Sequence, residues 1–142
     1  MVVGALSPSV IEKLRKKHRI QVESATVTVT RREVHHLRRN AKATRGAALT
    51  DADLDRLPGI LAAPEAVLFD TLTEDSLTYV FTPSPPNQRK GKIAVRVNFT
   101  DRLKLGDAVR HSITTNSLRS AGYVDAANLR EARYATLLGN VE

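Results

Sequence analysis

Lys92-Ile93-Ala94-Val95-Arg96-Val97-Asn98-Phe99 decides how this chain folds. Ile93, Val95, Val97 and Phe99 alternate with Lys92, Ala94, Arg96 and Asn98. Side chains along a strand point to opposite faces in turn. One face is therefore apolar and the other carries cations, as in an antiparallel strand with a single solvated side. Working back, Thr82-Pro83-Ser84-Pro85-Pro86-Asn87-Gln88-Arg89-Lys90-Gly91 reads as a proline-rich hairpin connection. Before it, Leu77, Tyr79 and Phe81 alternate with Thr78, Val80 and Thr82, and Ala66 to Asp70 is a short apolar strand. Working forward, Asp101 to Asp107 reads as a loop containing Gly106. Val109 to Tyr123 then holds one long hydroxyl-rich strand, bent near Asn116. Asp125 to Leu138 is expected to form a closing helix capped by Asp125, with Leu129, Ala132 and Leu137 near one side.

The first half reads as helical. Ser7 caps a helix that has Pro8 at its first position, and Val10, Ile11 and Leu14 form its buried stripe. Lys13, Arg15, Lys16, Lys17, His18 and Arg19 make a basic run, read mainly as a solvated helix end where cations suit the dipole. Ala25 to Val29 is β-branched and extended. Thr30-x-x-Glu33 is a capping box that opens a second helix with Val34, Leu37 and Ala41 inside. Lys42 to Leu49 is a small-residue loop. Thr50-Asp51-Ala52-Asp53 caps a third helix, where Leu54, Leu57 and Leu61 share a face. Pro58 forces a kink or a restart, and Pro64 closes the segment. Helices followed by an antiparallel meander argue for an α+β class.

The chain has 142 residues, enough for one domain with a real core. With three Phe, three Tyr and no Trp, that core must be aliphatic. The net charge of +7 and pI near 10.1 favour polyanions, nucleic acid first. The absence of Cys excludes disulfides, thiolate chemistry and Cys-type zinc sites. No apolar run reaches the roughly 18 residues of a membrane span, so no membrane partner is expected. The segment Met1 to Leu6 is too short for a signal sequence and lacks a basic start.

Chemistry enters with Thr30-Arg31-Arg32-Glu33-Val34-His35-His36-Leu37-Arg38-Arg39-Asn40. Histidine gives or takes a proton near neutral pH, and arginine holds a phosphate through two parallel hydrogen bonds. At about 100° per residue, His36 falls opposite the buried stripe, on a face with Glu33 and Asn40. His35 lies beside Arg32 and Arg39. The face of His36 is either open solvent or the wall of a cleft. Adjacent histidines point too far apart to share a metal, and glycine-rich phosphate loops are missing. No metal and no cofactor are expected.

What remains suits metal-free cleavage of RNA. That reaction needs a base for the 2′-hydroxyl, an acid for the leaving oxygen, and donors for the phosphorane charge. His36 can be the base or the acid. Arg96 and Lys92 can hold the phosphate, and the hydroxyls of Thr114 and Ser120 can donate to it. Each residue also has an ordinary reading. Surface histidines are mostly inert, basic strand faces are mostly only solvated, and serine and threonine suit strands for their own reasons.

Several runs resemble the phage barnase–EndoU–colicin–RelE-like (BECR-fold) nuclease family. They are Val3 to Pro8, Thr30 to Asn40, Asp53 to Val67, Gly91 to Asn98, and Asn116 to Gly122. Such modules are often found at the ends of phage head-morphogenesis proteins and polymorphic toxins. The resemblance implies a ribonuclease-toxin-like arrangement, with N-terminal helices packed on a curved antiparallel β-sheet and a C-terminal helix. It implies metal-independent RNA cleavage. By position it assigns proton transfer to His36, phosphate stabilisation to Arg96, and orientation to Ser120 and Thr114. Arg39, Lys92, Asn98 and Arg119 would bind the RNA. A second histidine common in the family is replaced here by Asn40, which cannot shuttle protons. His111 is the other candidate for that task, although alternation sets it beside Val109 and Ile113.

The chain is thus read as one nuclease-like domain, residues 1–142, of a kind also found as a piece of longer proteins. The expected function is that of a ribonuclease toxin acting by 2′-hydroxyl attack. Its partners would be RNA and an immunity protein, and its place the bacterial cytoplasm or a phage particle. The alternative is a non-catalytic nucleic-acid-binding or phage-particle structural module of the same fold, which Asn40 favours.

Overall fold

The long alternating strands organise the molecule. The structure is a computed structural model that describes residues 1–35, 37, 49–104 and 110–141. Strands β5 (Arg89–Lys104) and β6 (Arg110–Asp125) pair antiparallel along their length. On one side, β4 (Ser76–Phe81) and β3 (Ala66–Asp70) extend the sheet in antiparallel steps, and β7 (Tyr134–Gly139) adds to the far edge of β3. On the other side, β2 (Thr26–Thr28) runs parallel to β6, and β1 (Val2–Ala5) pairs antiparallel with β2. The seven-stranded order is β1-β2-β6-β5-β4-β3-β7. The helices are few and short beside this sheet, and the chain is a mixed α+β protein.

The helix starts follow their caps. In α1 (Pro8–His18), the Ser7 hydroxyl accepts from the Val10 amide at 3.2 Å. In α2 (residues 31–35, with 37 also helical), Thr30 Oγ1 accepts from the Glu33 amide at 3.1 Å. In α3 (Asp51–Asp55), Thr50 Oγ1 accepts from the Asp53 amide at 3.2 Å. The chain then restarts as α4 (Leu57–Ala62), with Pro58 in the first turn, where its missing N–H costs nothing. No helix among the described residues is long and apolar enough to cross a membrane.

These helices cover one face of the sheet, here called the inner face. Val10, Leu14, Leu37, Leu57, Ile60 and Leu61 meet Leu77, Tyr79, Phe81, Ile93, Val95, Val97 and Leu118 in the main core. Fully burying one such aliphatic side chain stabilises by about 1.5–3 kcal/mol. The C-terminal end of α1 is fastened to the far side of the sheet. His18 stacks on Phe69 with ring centres 3.8 Å apart, and Lys13 Nζ donates to the Leu137 carbonyl at 2.6 Å. On the outer face, Ala66, Leu68 and Val80 pack under Leu129. This second cluster covers Val80 on the outer half of β4, and all six residues of β4 are buried.

The closing helix expected over Asp125 to Leu138 is not formed. Ala126–Arg130 is a short 3₁₀ helix, and the chain returns as strand β7. The reason is the edge of β3, whose backbone groups need a partner that only a strand supplies. A register shift opposite Val67 and Leu68 lets Leu137 and Leu138 both face the main core, which imitated helical spacing in the sequence. Arg133 then locks the strand by a two-pronged bond to Asp70, Nε at 3.1 Å and Nη2 at 2.6 Å. Burial pushes the Asp70 carboxyl up, but Arg133, the Leu72 amide and the Thr73 hydroxyl together hold it below its ordinary value. Gly139 ends the strand at φ 65°, where a Cβ would lie 2.0 Å from the Glu65 carbonyl oxygen.

Two smaller corrections concern the ends of strands. Residues 101–104, expected in a loop, continue β5. Val2–Ala5, where no element was expected, is an edge strand. The loop expected over Lys42 to Leu49 falls, except for Leu49, outside the described residues, as does Ala41.

Candidate nucleic-acid interface

The β5–β6 ladder is interrupted twice, and both interruptions shape one surface. Ala94 faces Ser120 while Val95 faces Leu118, so Arg119 is an extra residue on β6. Arg96 faces Ser117 while Phe99 faces Thr115, so β5 carries an extra residue at Val97–Asn98. Such bulges bend a strand and re-aim side chains. Asn98 adopts φ 55°, a left-handed conformation that asparagine tolerates better than most residues. Strict alternation would have put Phe99 inside with Val97. The bulge turns it to the outer face, where it meets two arginines.

The Arg96 guanidinium lies 5.5 Å from the Phe99 ring centre and that of Arg119 lies 4.7 Å from it. Each cation also has a carboxylate. Arg96 Nη2 is 3.3 Å from Glu74, and Arg119 Nη1 is 3.9 Å from Glu33 of α2. Arg119 also donates to Ser117 Oγ at 3.5 Å. Both arginine side chains remain about two-fifths exposed, so these pairs are screened and weak, ~1 kcal/mol at most each. A phosphate that accepts two parallel bonds from a guanidinium competes well with such loose partners.

The expected residues divide into groups. Lys92, Arg96 and Ser120 share the outer face, since Lys92 faces Gly122 and Ser120 faces Ala94 in the same alternation. Ser120 is exposed and Lys92 half-buried. Arg119 joins them through its bulge. Thr114 does not. It follows the opposite alternation from Thr115, and its hydroxyl bonds Thr100 across the ribbon at 2.7 Å. Asn98 is committed elsewhere. Its Nδ2 donates to the Gln21 carbonyl at 2.9 Å, and its Oδ1 accepts from the Glu23 amide at 3.0 Å. Its own amide donates to Asn116 Oδ1, and Asn116, wholly buried, donates to the Ser24 and Thr26 carbonyls. These two asparagines hold the loop before β2. His36, Arg39 and Asn40 lie outside the described residues. His35 is exposed and His111 half-buried.

One polar cluster went unnoticed in the sequence. Asp53 is completely buried and accepts three hydrogen bonds, from Tyr123 Oη at 2.5 Å, Arg56 Nη1 at 2.7 Å and the Ser84 amide at 3.1 Å. Tyr123 Oη in turn accepts from the Thr50 amide at 3.1 Å. Burial and then the Asp53 carboxylate raise the Tyr123 hydroxyl above its ordinary value. Asp53 appeared only as a helix-start acid, and nothing local to it announces a partner 70 residues away. The cluster ties α3 to the end of β6 and to the proline-rich connection. Among the described residues, no three His, Asp or Glu side chains gather as a metal site. No protein-family model, curated protein or solved structure matches the chain.

Proposed function

We propose that this chain binds single-stranded RNA on the outer face of β5–β6 and cleaves it without a metal ion. One observation carries the reading. Two half-exposed arginines flank a single aromatic ring on the face that also carries Ser120 and Lys92, and the helix that leads to His36 is joined to them through Glu33. Cations that track a phosphate chain next to an aromatic side chain are the ordinary elements of single-strand binding. In the proposed reaction a proton leaves the 2′-hydroxyl, its oxygen attacks phosphorus, and the 5′-oxygen departs with a proton. Arg96 and Arg119 balance the added negative charge. His36 is one proton carrier. Glu33, three residues earlier in the chain and 3.9 Å from Arg119, is suited to be the other in place of Asn40. The finer architecture, a ribonuclease-toxin domain of the BECR kind with an immunity protein as second partner, is part of this same proposal.

The non-catalytic binding module is a second reading. It is favoured by the structural employment of Thr114 and Asn98, two residues expected to serve RNA. Defined single-stranded RNA in excess EDTA separates the readings, with wild type beside His36→Ala. Fragments ending in 2′,3′-cyclic phosphate, lost in the variant, are expected. Intact but bound RNA would favour the non-catalytic module. Cleavage abolished by EDTA and restored by Mg²⁺ would refute the metal-free mechanism, and RNA that neither binds nor breaks would refute both readings.

A further inference from the structure

We infer that the slot between β1 and the β5–β6 ribbon holds a nucleobase of the RNA whose phosphates lie on Arg96 and Arg119. The inference rests on the RNA-binding reading and adds to it a subsite and a ligand class. A cavity of about 300 Å³ opens on the outer face, lined by Val2, Thr28, Phe99, Ile113, Thr115 and Ser117 among others. That is the lower end of the size range for small-ligand pockets. Its walls are mainly apolar, and its floor is made of hydroxyls. Thr28 and Thr115 share one hydrogen bond at 2.7 Å, which uses one of their two protons and leaves the other to donate. Ser117 is 5% exposed and accepts only the long contact from Arg119, so its own proton is also available. Asp101 stands on the same wall. Its Oδ1 accepts from the Arg102 amide at 2.8 Å, and its other oxygen remains an acceptor for a base N–H. A mainly apolar slot with a few hydroxyl donors and one acceptor matches a heterocyclic base better than a lipid chain or a sugar.

Placement supports the same occupant. Register puts Val2 beside Thr28, Thr28 beside Ser117, and Ser117 beside Arg96, in one row across four strands. The Ser117 edge of the floor is therefore a single strand spacing, roughly 4.8 Å, from the backbone that carries Arg96. Phe99 forms a wall of the slot and also carries both guanidinium groups. A nucleotide with its base in the slot can lay its phosphate on those cations without spanning any other feature of the surface.

The test uses a 2′-O-methyl RNA hexamer, which lacks the attacking hydroxyl, and an abasic hexamer of equal charge. Binding is followed by fluorescence anisotropy at one low salt concentration. Wild type should bind the base-bearing oligomer roughly 5- to 100-fold more tightly, the worth of one well-stacked base. Val2→Trp should fill the slot and remove that preference while leaving abasic affinity unchanged. Val2 is 66% exposed on an edge strand, so the change is easily accommodated. Thr115→Val, which keeps shape and removes a hydroxyl, should reduce the preference by a smaller factor. Equal wild-type affinity for both oligomers, or a preference that survives both substitutions, overturns the base subsite while RNA binding stands. If neither oligomer binds, the RNA reading falls and the subsite with it.

Discussion

Removing one oxygen atom, by Tyr123→Phe, tests the cluster that fastens α3 to β6. The Tyr123 hydroxyl is the only donor to Asp53 Oδ2 among the described residues, while Arg56 and the Ser84 amide both serve Oδ1. Without it, a carboxylate oxygen in a wholly buried side chain loses its bond. A hydrogen bond to a charged group is worth about 1.5–3 kcal/mol. The Thr50 amide also loses its acceptor, but it is near solvent and can bond water, so it adds little. The expected loss is about 2–3 kcal/mol. For a chain of this length that corresponds to a fall in Tm of roughly 6–12 °C. Urea denaturation should show a lower midpoint at unchanged slope. In an Asp53→Asn background the same substitution should cost only about 1 kcal/mol, because the acceptor is then neutral. There is also a pH signature. The Tyr123 hydroxyl is raised above its ordinary value of 10.0, so its contribution is whole below that pH and is lost as pH rises through the higher folded value. A loss under about 0.5 kcal/mol, or an equal loss in both backgrounds, would refute the reasoning.

Three further outcomes are expected. His36→Ala should lower RNA cleavage by roughly 10²–10⁴-fold at a stability cost within about 1 kcal/mol; His35→Ala should do far less, and equal small losses in two folded variants would remove His36 from the mechanism. Arg119→Ala should weaken binding of single-stranded RNA and reduce the slope of log affinity against log salt by about 1, whereas an unchanged slope would mean that Arg119 does not meet phosphate. His18 is depressed below its ordinary 6.5 by burial and then by Lys17, and its buried Nε2 has no partner among the described residues. Its contribution should be whole above pH 6.5 and decline as pH falls towards the lower folded value, so His18→Gln should flatten stability between pH 7.5 and 5; parallel curves for the two proteins would exclude this role.

The sequence spoke clearly wherever a signal was local. Ser7, Thr30 and Thr50 cap helices because a hydroxyl three residues before a free amide is enough to start one. Pro58 restarts a helix because its ring cannot join the preceding turn but suits a first turn. Alternation found β4 and β5, and with β5 the shared face of Lys92 and Arg96, while the hydroxyl-rich run marked β6. The errors arise where distant parts of the chain decide. Leu129, Ala132 and Leu137 imitate a helix, but the open edge of β3 and the Asp70–Arg133 bond claim that segment for the sheet. Parity counting fails past Asn98, so Phe99 was assigned to the core, and it fails past Arg119, so Thr114 does not share the face of Ser120. The asparagine at the turn of parity was visible, but its left-handed conformation was not.

The paired bulges have a consequence for descent. Arg89 faces Asp125 at one end of the ribbon and Arg102 faces Ser112 at the other, with the same offset, because the extra residue on each strand cancels that on its neighbour. Deleting Asn98 alone, or Arg119 alone, removes one extra residue and leaves the pairs on either side of it as they are, because that residue has no partner in the ladder. Deleting both gives an unbroken ladder from Arg89 to Lys104. A lineage can therefore discard this surface, or acquire it, by single-codon changes taken one at a time, while the pairs on either side are inherited intact.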